Sequence, residues 1–229
     1  MKKCIAVLVL FGALHSIQAQ RHEFTIGLNR THFYDFRKTA RTFGAEDQFG
    51  VSIGWSIDNL STSKLPYRLT LKLERYQGDV YIFNGGLGGG VTLDASVAKH
   101  VIALGLYPLN FSIKHVLDFN VGAEFNALIL EKAKGYYGYY QGGSPPISYS
   151  TSLEDGKKRL SNNFGIGLNA RVAYNIRIKK GWTLVPQYQI YAGVSDEFKD
   201  LQSDTRSIRH YLAIGLARKF SIKTGAPKK

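Results

Sequence analysis

Eight charged side chains carry most of the chemistry that this sequence could perform in an interior. Arg68, Lys72, Glu74, Asp118, Glu124, Arg171, Arg177 and Arg209 each lie on the polar side of a stretch in which polar and apolar residues alternate. Charges turned into a narrow interior must be paired or hydrated. Acids from the stretches holding Glu74, Asp118 and Glu124 can meet arginines from those holding Arg68, Arg171 and Arg209. The chemistry this favours is a salt-bridged plug that keeps an interior closed. Ion conduction and acid–base catalysis are the rival uses of the same residues.

Other groupings are poorer. An acyl hydrolase needs a nucleophile, a base and an acid that converge, and His100 with Asp94 and Ser96 is the one conceivable set. His100, His115 and His210 are scattered, and no two show metal-ligand spacing. Gly165-Ile166-Gly167-Leu168-Asn169-Ala170 satisfies the dinucleotide fingerprint but lies inside an alternating strand, where the required strand-to-helix turn cannot form. The glycines at 85–90 lack the Lys-Ser/Thr of a phosphate loop and read as a mobile loop. The only cysteine, Cys4, precedes the expected cleavage point, so neither a disulfide nor a thiolate metal site is expected. No catalytic residue, metal or cofactor is expected.

The elements that must position the eight charges are strands. In Asn163–Ile178, Phe164, Ile166, Leu168, Ala170, Val172, Tyr174, Ile176 and Ile178 alternate with Gly165, Gly167, Asn169, Arg171, Ala173, Asn175 and Arg177. Side chains alternate across a strand, so this is one long strand with an apolar face and a polar or small face. It far exceeds the usual ~5–6 residues and reaches the ~9–11 that a tilted strand needs to cross a bilayer. Similar stretches are Glu23–Arg30, Phe49–Ile57, Tyr67–Tyr76, Val97–Tyr107, His115–Leu130, Trp182–Val194 and Ile208–Phe220. The connections between them run alternately long and short. Arg30–Gln48, Gln77–Ala95, Glu131–Ser161 and Ser195–Ser207 read as long loops. Asp58–Pro66, Pro108–Lys114 and Lys179–Gly181 read as turns.

An even strand count with alternating connections predicts an all-β, eight-stranded, antiparallel up-and-down transmembrane barrel with both termini at the short-turn end. Three features favour an apolar exterior. The polar face is rich in Gly, Ala, Ser and Asn, which suits a crowded lumen. The apolar set is too large for a narrow interior. Trp55, Tyr67, Tyr174, Trp182 and Phe220 fall at one end of the apolar face, as a periplasmic aromatic girdle would. The alternative is a soluble, exported, ligand-binding barrel with the apolar face inside. Pro186 is at odds with a closed barrel, where it costs a ladder bond or marks a bulge.

Residues 1–19 read as a signal peptide, with Lys2 and Lys3, an apolar Ile5–Leu14 and a cut after Ala19. The barrel would occupy 20–220, and 221–229 would form a basic tail. The formal charge of +13 calls for acidic partners. For an exported chain these are outer-membrane lipid and lipopolysaccharide, not nucleic acid. Arg37, Lys38, Arg41, Lys132, Lys134, Lys157, Lys158 and Arg159 fall in the long loops and are expected to meet lipopolysaccharide phosphates. The tyrosines at 136–149 would stack on sugars or contact a partner.

The pattern resembles the outer-membrane β-barrel family common in Bacteroidota, including PorT-like proteins. The similarity lies in Leu106-Tyr107-Pro108-Leu109 followed by Leu117–Leu130 with Gly122, and in Tyr188–Ser195 with Gly193. Gly215 and Phe220 partly match the terminal-strand signal read by the barrel-insertion machinery. Arg218 and the nine residues after Phe220 depart from that signal. The resemblance implies an integral outer-membrane protein, sometimes linked to type IX secretion, and no single activity.

Overall fold

The computed structural model describes residues 20–38, 40–59, 67–86, 88–142, 147–153, 159–179, 181–199, 201 and 204–220. The expected signal peptide and the basic tail lie outside the described residues. Ten strands follow in chain order: β1 (Gln20–Asp35), β2 (Thr42–Asn59), β3 (Tyr67–Gly86), β4 (Gly89–Ile113), β5 (Leu117–Gln141), β6 (Ile147–Leu153), β7 (Phe164–Tyr174), β8 (Ile176–Arg177), β9 (Trp182–Gly193) and β10 (Thr205–Phe220).

Each strand pairs antiparallel with the next around a ring, and β10 closes on β1 from Gln20↔Phe220 to Asp35↔Thr205. The ring has eight members, because β8 continues the line of β7 and β6 pairs only with the upper part of β5. Closure leaves no free sheet edge around the ring, so its ladder bonds are made within the chain. The expected eight-stranded up-and-down barrel is the observed fold.

The strands are longer than the sequence suggested. β3 and β4 stay in register from Arg68↔Tyr107 to Gly86↔Gly89, so Gln77–Ala95 is a paired hairpin and not a loop. β1 and β2 likewise run well into Arg30–Gln48, and β5 with β6 takes most of Glu131–Ser161. β4 continues through Pro108 to Ile113, where Pro108 sits in a register shift between Leu106 and Leu109. The reason lies in which face is apolar. In these upper segments the apolar residues turn inward: Tyr76, Val80, Ile82, Val91, Leu93, Ala95 and Val97 are buried, while Arg75, Asp94 and Ser96 face out. Lower down the pattern is reversed. Phe24, Ile26, Leu28, Ile53, Leu73, Phe125, Leu168 and Leu212 are exposed, and Glu23, Arg68, Glu74, Glu124 and Arg209 are buried.

One strand is shorter than expected. β7 ends at Tyr174, and pairing with β9 lapses between Ala173↔Gln187 and Ile176↔Leu184. The residue opposite the lapse is Pro186, which has no N–H to give. On its other side Pro186 stays in register with Ile214. Gly181, at a φ of 82°, supplies the left-handed residue that the tight turn into β9 needs.

Candidate functional site

The lower lumen is a column of ion pairs. β1 supplies Arg21 and Glu23, β2 Asp58, β3 Arg68, Lys72 and Glu74, β5 Asp118 and Glu124, β7 Arg171 and β10 Arg209. All occupy inward positions between outward apolar residues, which is why one strand period brings them together.

Glu23 is the lowest hub. Arg68 donates to it at 2.9 and 3.2 Å, and Arg171 at 2.9 and 3.1 Å, with Arg21 3.6 Å away. Arg68 also donates to both oxygens of Asp58 at 3.1 Å, and Arg21 to Asp118 at 2.8 Å. Arg171 further donates to Asn120 at 2.5 Å and to Gln187.

Glu74 is the second hub. It accepts from Arg209 at 2.8 Å, Tyr211 at 2.8 Å and Asn29 at 3.1 Å. Glu124 lies 2.7 Å from Lys72 and 3.7 Å from Arg209, and accepts from Asn169 at 2.8 Å. The cations also rest on rings: Arg209 on Tyr191 at 3.7 Å and Tyr76 at 4.5 Å, and Lys72 on Tyr211 at 4.3 Å. Gly167 makes room for Tyr191, since a Cβ there would come within 2.4 Å of that ring.

Five bases (Arg21, Arg68, Lys72, Arg171, Arg209) meet five acids (Glu23, Asp58, Glu74, Asp118, Glu124), so the column is formally neutral. A buried charge without a partner costs several kcal/mol, about 3–5 where a pair is broken. A neutral, mutually bonded column therefore holds itself shut.

A separate latch closes the upper end. The β9–β10 connection folds inward, burying Phe198 and Leu201 in the apolar cluster beside Phe33, Ile82 and Leu93. Lys99, buried on β4, donates to Glu197 at 2.7 Å, and Tyr76 donates to the same carboxylate at 3.0 Å. Burial alone would raise the Glu197 carboxyl, but Lys99 and Arg209 outweigh it and hold it at about 2. At the preceding residue, burial and a hydrogen bond that its protonated carboxyl donates to Asp204 push Asp196 up to about 6. Glu131 ties down the return to β7 by accepting from the Leu160 and Ser161 amides at 2.9 and 3.0 Å.

Seven of the eight expected lumen charges are in the column or its contacts. Arg177 is not. It lies on the exposed two-residue β8, beyond the lapse opposite Pro186 and at the very end of the ring. Its parity is inward, but it stands just before the closing turn into β9 and is exposed there. The column also contains residues that sequence reasoning passed over. Arg21 lies before the stretch read as a strand, and Asp58 lay in a stretch read as a turn. Glu23 alternates with Phe24, Ile26 and Leu28, and that was the available signal. Lys99 lies in Val97–Tyr107 on the face opposite Ile102 and Leu104, which was the same signal, whereas Glu197 carried none and looks like one more charge in a polar loop.

Trp55, Tyr67, Tyr174 and Trp182 all sit on the outer face toward the end that carries the chain termini. Arg218 covers Trp182 at 5.3 Å and His22 stacks on Trp55 at 5.8 Å. Phe220 pairs there through its backbone; its side chain is outside the described residues. Arg37, Lys38 and Arg41 are exposed at the opposite end, with Arg37 2.9 Å from Asp204. Lys132 and Lys134 are on the outer face of strand β5, not in a loop. Arg159 is exposed, and Lys157 and Lys158 lie outside the described residues. The tyrosines at 136, 137, 139 and 140 are also strand residues, with Tyr140 donating to the Gly86 carbonyl at 2.9 Å. Asp94, Ser96 and His100 lie along one strand, with His100 about 20 Å from Asp94 at roughly 3.3 Å per residue. They do not converge.

Comparison with protein-family models and with curated proteins finds no match. Among solved structures the chain aligns at low identity with several proteins. Neisserial surface protein A aligns with a TM-score of 0.43 and 14% identity, over 88% of this chain and 97% of that one. Ail, the attachment invasion locus protein of Yersinia pestis, aligns at 0.41 and 10%, over 88% and 99%. OprG from Pseudomonas aeruginosa aligns at 0.39 and 12%, over 89% and 95%. The likeness is one of general form.

Proposed function

We propose that this chain is an integral, non-enzymatic outer-membrane β-barrel with a sealed lumen, whose long hairpins reach the cell surface. The observation that carries the reading is the continuous apolar belt. Large side chains stand exposed on every strand of the ring, from Ile190 at 37% to Phe164 at 77%, while charges fill the space behind them. Water on that belt would be costly at roughly 25 cal/mol per Å² of apolar surface. Hydrocarbon removes the cost, and closure satisfies the backbone without water.

The end with the termini then faces the periplasm, with Trp55, Tyr67, Tyr174 and Trp182 at the lipid boundary. The strand surplus over the ~9–11 residues of a span projects outward as a water-exposed extension with its own apolar core. Arg37, Lys38, Arg41, Lys132, Lys134 and Arg159 are on that outer part and suit lipopolysaccharide phosphates. The PorT-like resemblance extends this to assembly with a type IX secretion partner, which co-purification from native membranes tests.

Membrane fractionation with a heat-modifiable gel shift tests the main reading. The expected result is recovery in the outer membrane as a species that migrates faster unheated than boiled. Recovery in the periplasmic supernatant would overturn it. A narrow pore is the second reading, favoured by the charged lumen alone. Because the column is neutral and closed, planar-bilayer recordings are expected to show no conductance steps.

A further inference from the structure

The terminal mouth of the barrel contains a cavity of about 440 Å³ whose lining is basic and aromatic and includes no acid. Arg21, His115, Arg177, Lys179 and Lys219 supply the bases, and Trp182 forms part of the wall. We infer that this vestibule binds a phosphate-bearing anion, offered either by a soluble phosphate ester or by the headgroup of an inner-leaflet phospholipid.

The sorting of charge carries the inference. Beside it in the same mouth, sharing Arg21 and His115, Asp58 and Asp118 line an adjoining cavity of about 330 Å³, and both face Arg21 at 3.9 and 2.8 Å. Those acids are therefore matched within the column. Arg177, Lys179 and Lys219 have no such match: they stand exposed at the rim, and no carboxylate among the described residues is placed against them. Among the described residues every other lumen cation has an acid beside it, so an excess at one concave site marks a place for an external anion.

The volume lies in the range of small-ligand sites, ~300–1,000 Å³. Several N–H donors lining one cavity favour the tri-oxygen phosphate group over a single carboxylate. The position of Trp182 adds the lipid source. Trp182 belongs to the cavity wall although its position on β9 is an outward one, so the mouth and the proposed membrane boundary meet at this residue. A headgroup lying at that boundary can reach the bases over the Lys179–Gly181 turn. This second source rests on the membrane reading above; the first does not.

Trp55 and Trp182 are the only tryptophans, so Trp55→Phe leaves Trp182 as the sole indole reporter. The Trp55→Phe protein is compared with the same protein carrying Arg177→Gln, Lys179→Gln and Lys219→Gln. All three positions are exposed and outside the ion-pair column, and unchanged heat-modifiability verifies folding. Glycerol 1-phosphate is titrated while Trp182 emission is followed. Native mass spectrometry separately counts phosphatidylglycerol retained from nanodiscs of phosphatidylcholine with added phosphatidylglycerol.

Saturable emission change, weakened on the order of tenfold or more by the three substitutions, supports the site with a soluble ligand. Retention of phosphatidylglycerol that the three substitutions abolish supports it with a lipid. Absence of both, or persistence of both in the triple variant, overturns it. Failure of the protein to enter nanodiscs would fell the membrane reading and the lipid source together, leaving the glycerol phosphate titration to decide the site.

Discussion

The lower and upper halves of this barrel enclose opposite chemistries with one backbone plan. Below, Glu23, Arg68, Glu74, Glu124, Arg171 and Arg209 are inside and Phe24, Ile26, Leu73 and Leu212 outside. Above, Ile82, Leu93, Val97 and Phe198 are inside and Arg30, Arg75, Asp94 and Lys132 outside. The change happens along single strands: on β1 between Leu28 and Arg30, on β3 between Leu73 and Arg75, on β4 between Ile102 and His100. The difference teaches that, in the proposed placement, each half answers to its surroundings. Where hydrocarbon is outside, apolar packing inside gives no preference for the folded orientation, and paired charges specify the interior. Where water is outside, the hydrophobic effect builds an ordinary core.

The two halves should therefore fail by different routes. The largest effect is expected at Glu23. Glu23→Ala strands Arg171 as a buried cation without a carboxylate and leaves Arg68 with Asp58 alone, a loss of about 3–5 kcal/mol, read by urea unfolding of the reconstituted protein followed by gel shift. Restoring a carboxylate with Glu23→Asp should recover part of it. If Glu23→Ala were neutral, the column would not be what specifies the lower lumen.

In the upper half the matching substitution is Leu93→Ala. A fully buried leucine in a closed core costs about 2–5 kcal/mol when truncated, by the same unfolding assay. Proteolysis of the upper hairpins should rise with it, while the lower barrel keeps its heat-modifiable shift. Loss of both together would show that the halves are a single cooperative unit.

A smaller, pH-dependent effect is expected at the β9–β10 latch. Glu197 is held at about 2 from an ordinary 4.5. Its contribution is present above about 4.5 and is lost as pH falls toward 2. Asp196 is raised to about 6 from 3.8. Its contribution is present below about 3.8 and is lost as pH rises through 6. The latch should thus be tightest in mildly acidic solution, between those limits. Hydrogen exchange of residues 195–199 across pH measures this, and Glu197→Gln should remove the acid limb only.

The smallest effect is expected at Arg177. Arg177→Gln at the exposed mouth should change stability by no more than about 0.5 kcal/mol. A larger loss would place it in the column after all.

The same contrast explains what could be read from the sequence. The lower half was legible because its strands have apolar residues at every second position with small or charged ones between, and the ring, its direction and seven column charges follow from that. The upper half uses the same period with the faces exchanged. Tyr76, Val80 and Ile82 lie between Gln77, Asp79 and Tyr81, and with glycines at 85, 86, 88, 89 and 90 the stretch looks like a loop when apolar residues are sought on the outer face. Phe198 and Leu201 belong to no periodic stretch, so only their packing marks them. Arg177 had the correct parity, but parity does not say where the ring ends; Pro186, nine residues on and on the paired strand, decides that.

The most direct test uses β1, which crosses the change within four residues. In a chain lacking Cys4, single cysteines are placed at Leu28 and at His32, both on the outer face of the strand. Leu28 is 59% exposed in the barrel itself, so only a surrounding bilayer can shield it. A water-soluble, membrane-impermeant maleimide should label His32→Cys in intact membranes and leave Leu28→Cys unlabelled until detergent and urea unfold the barrel. Equal labelling of the two in membranes would mean that water bathes the apolar belt, and would contradict the proposed placement.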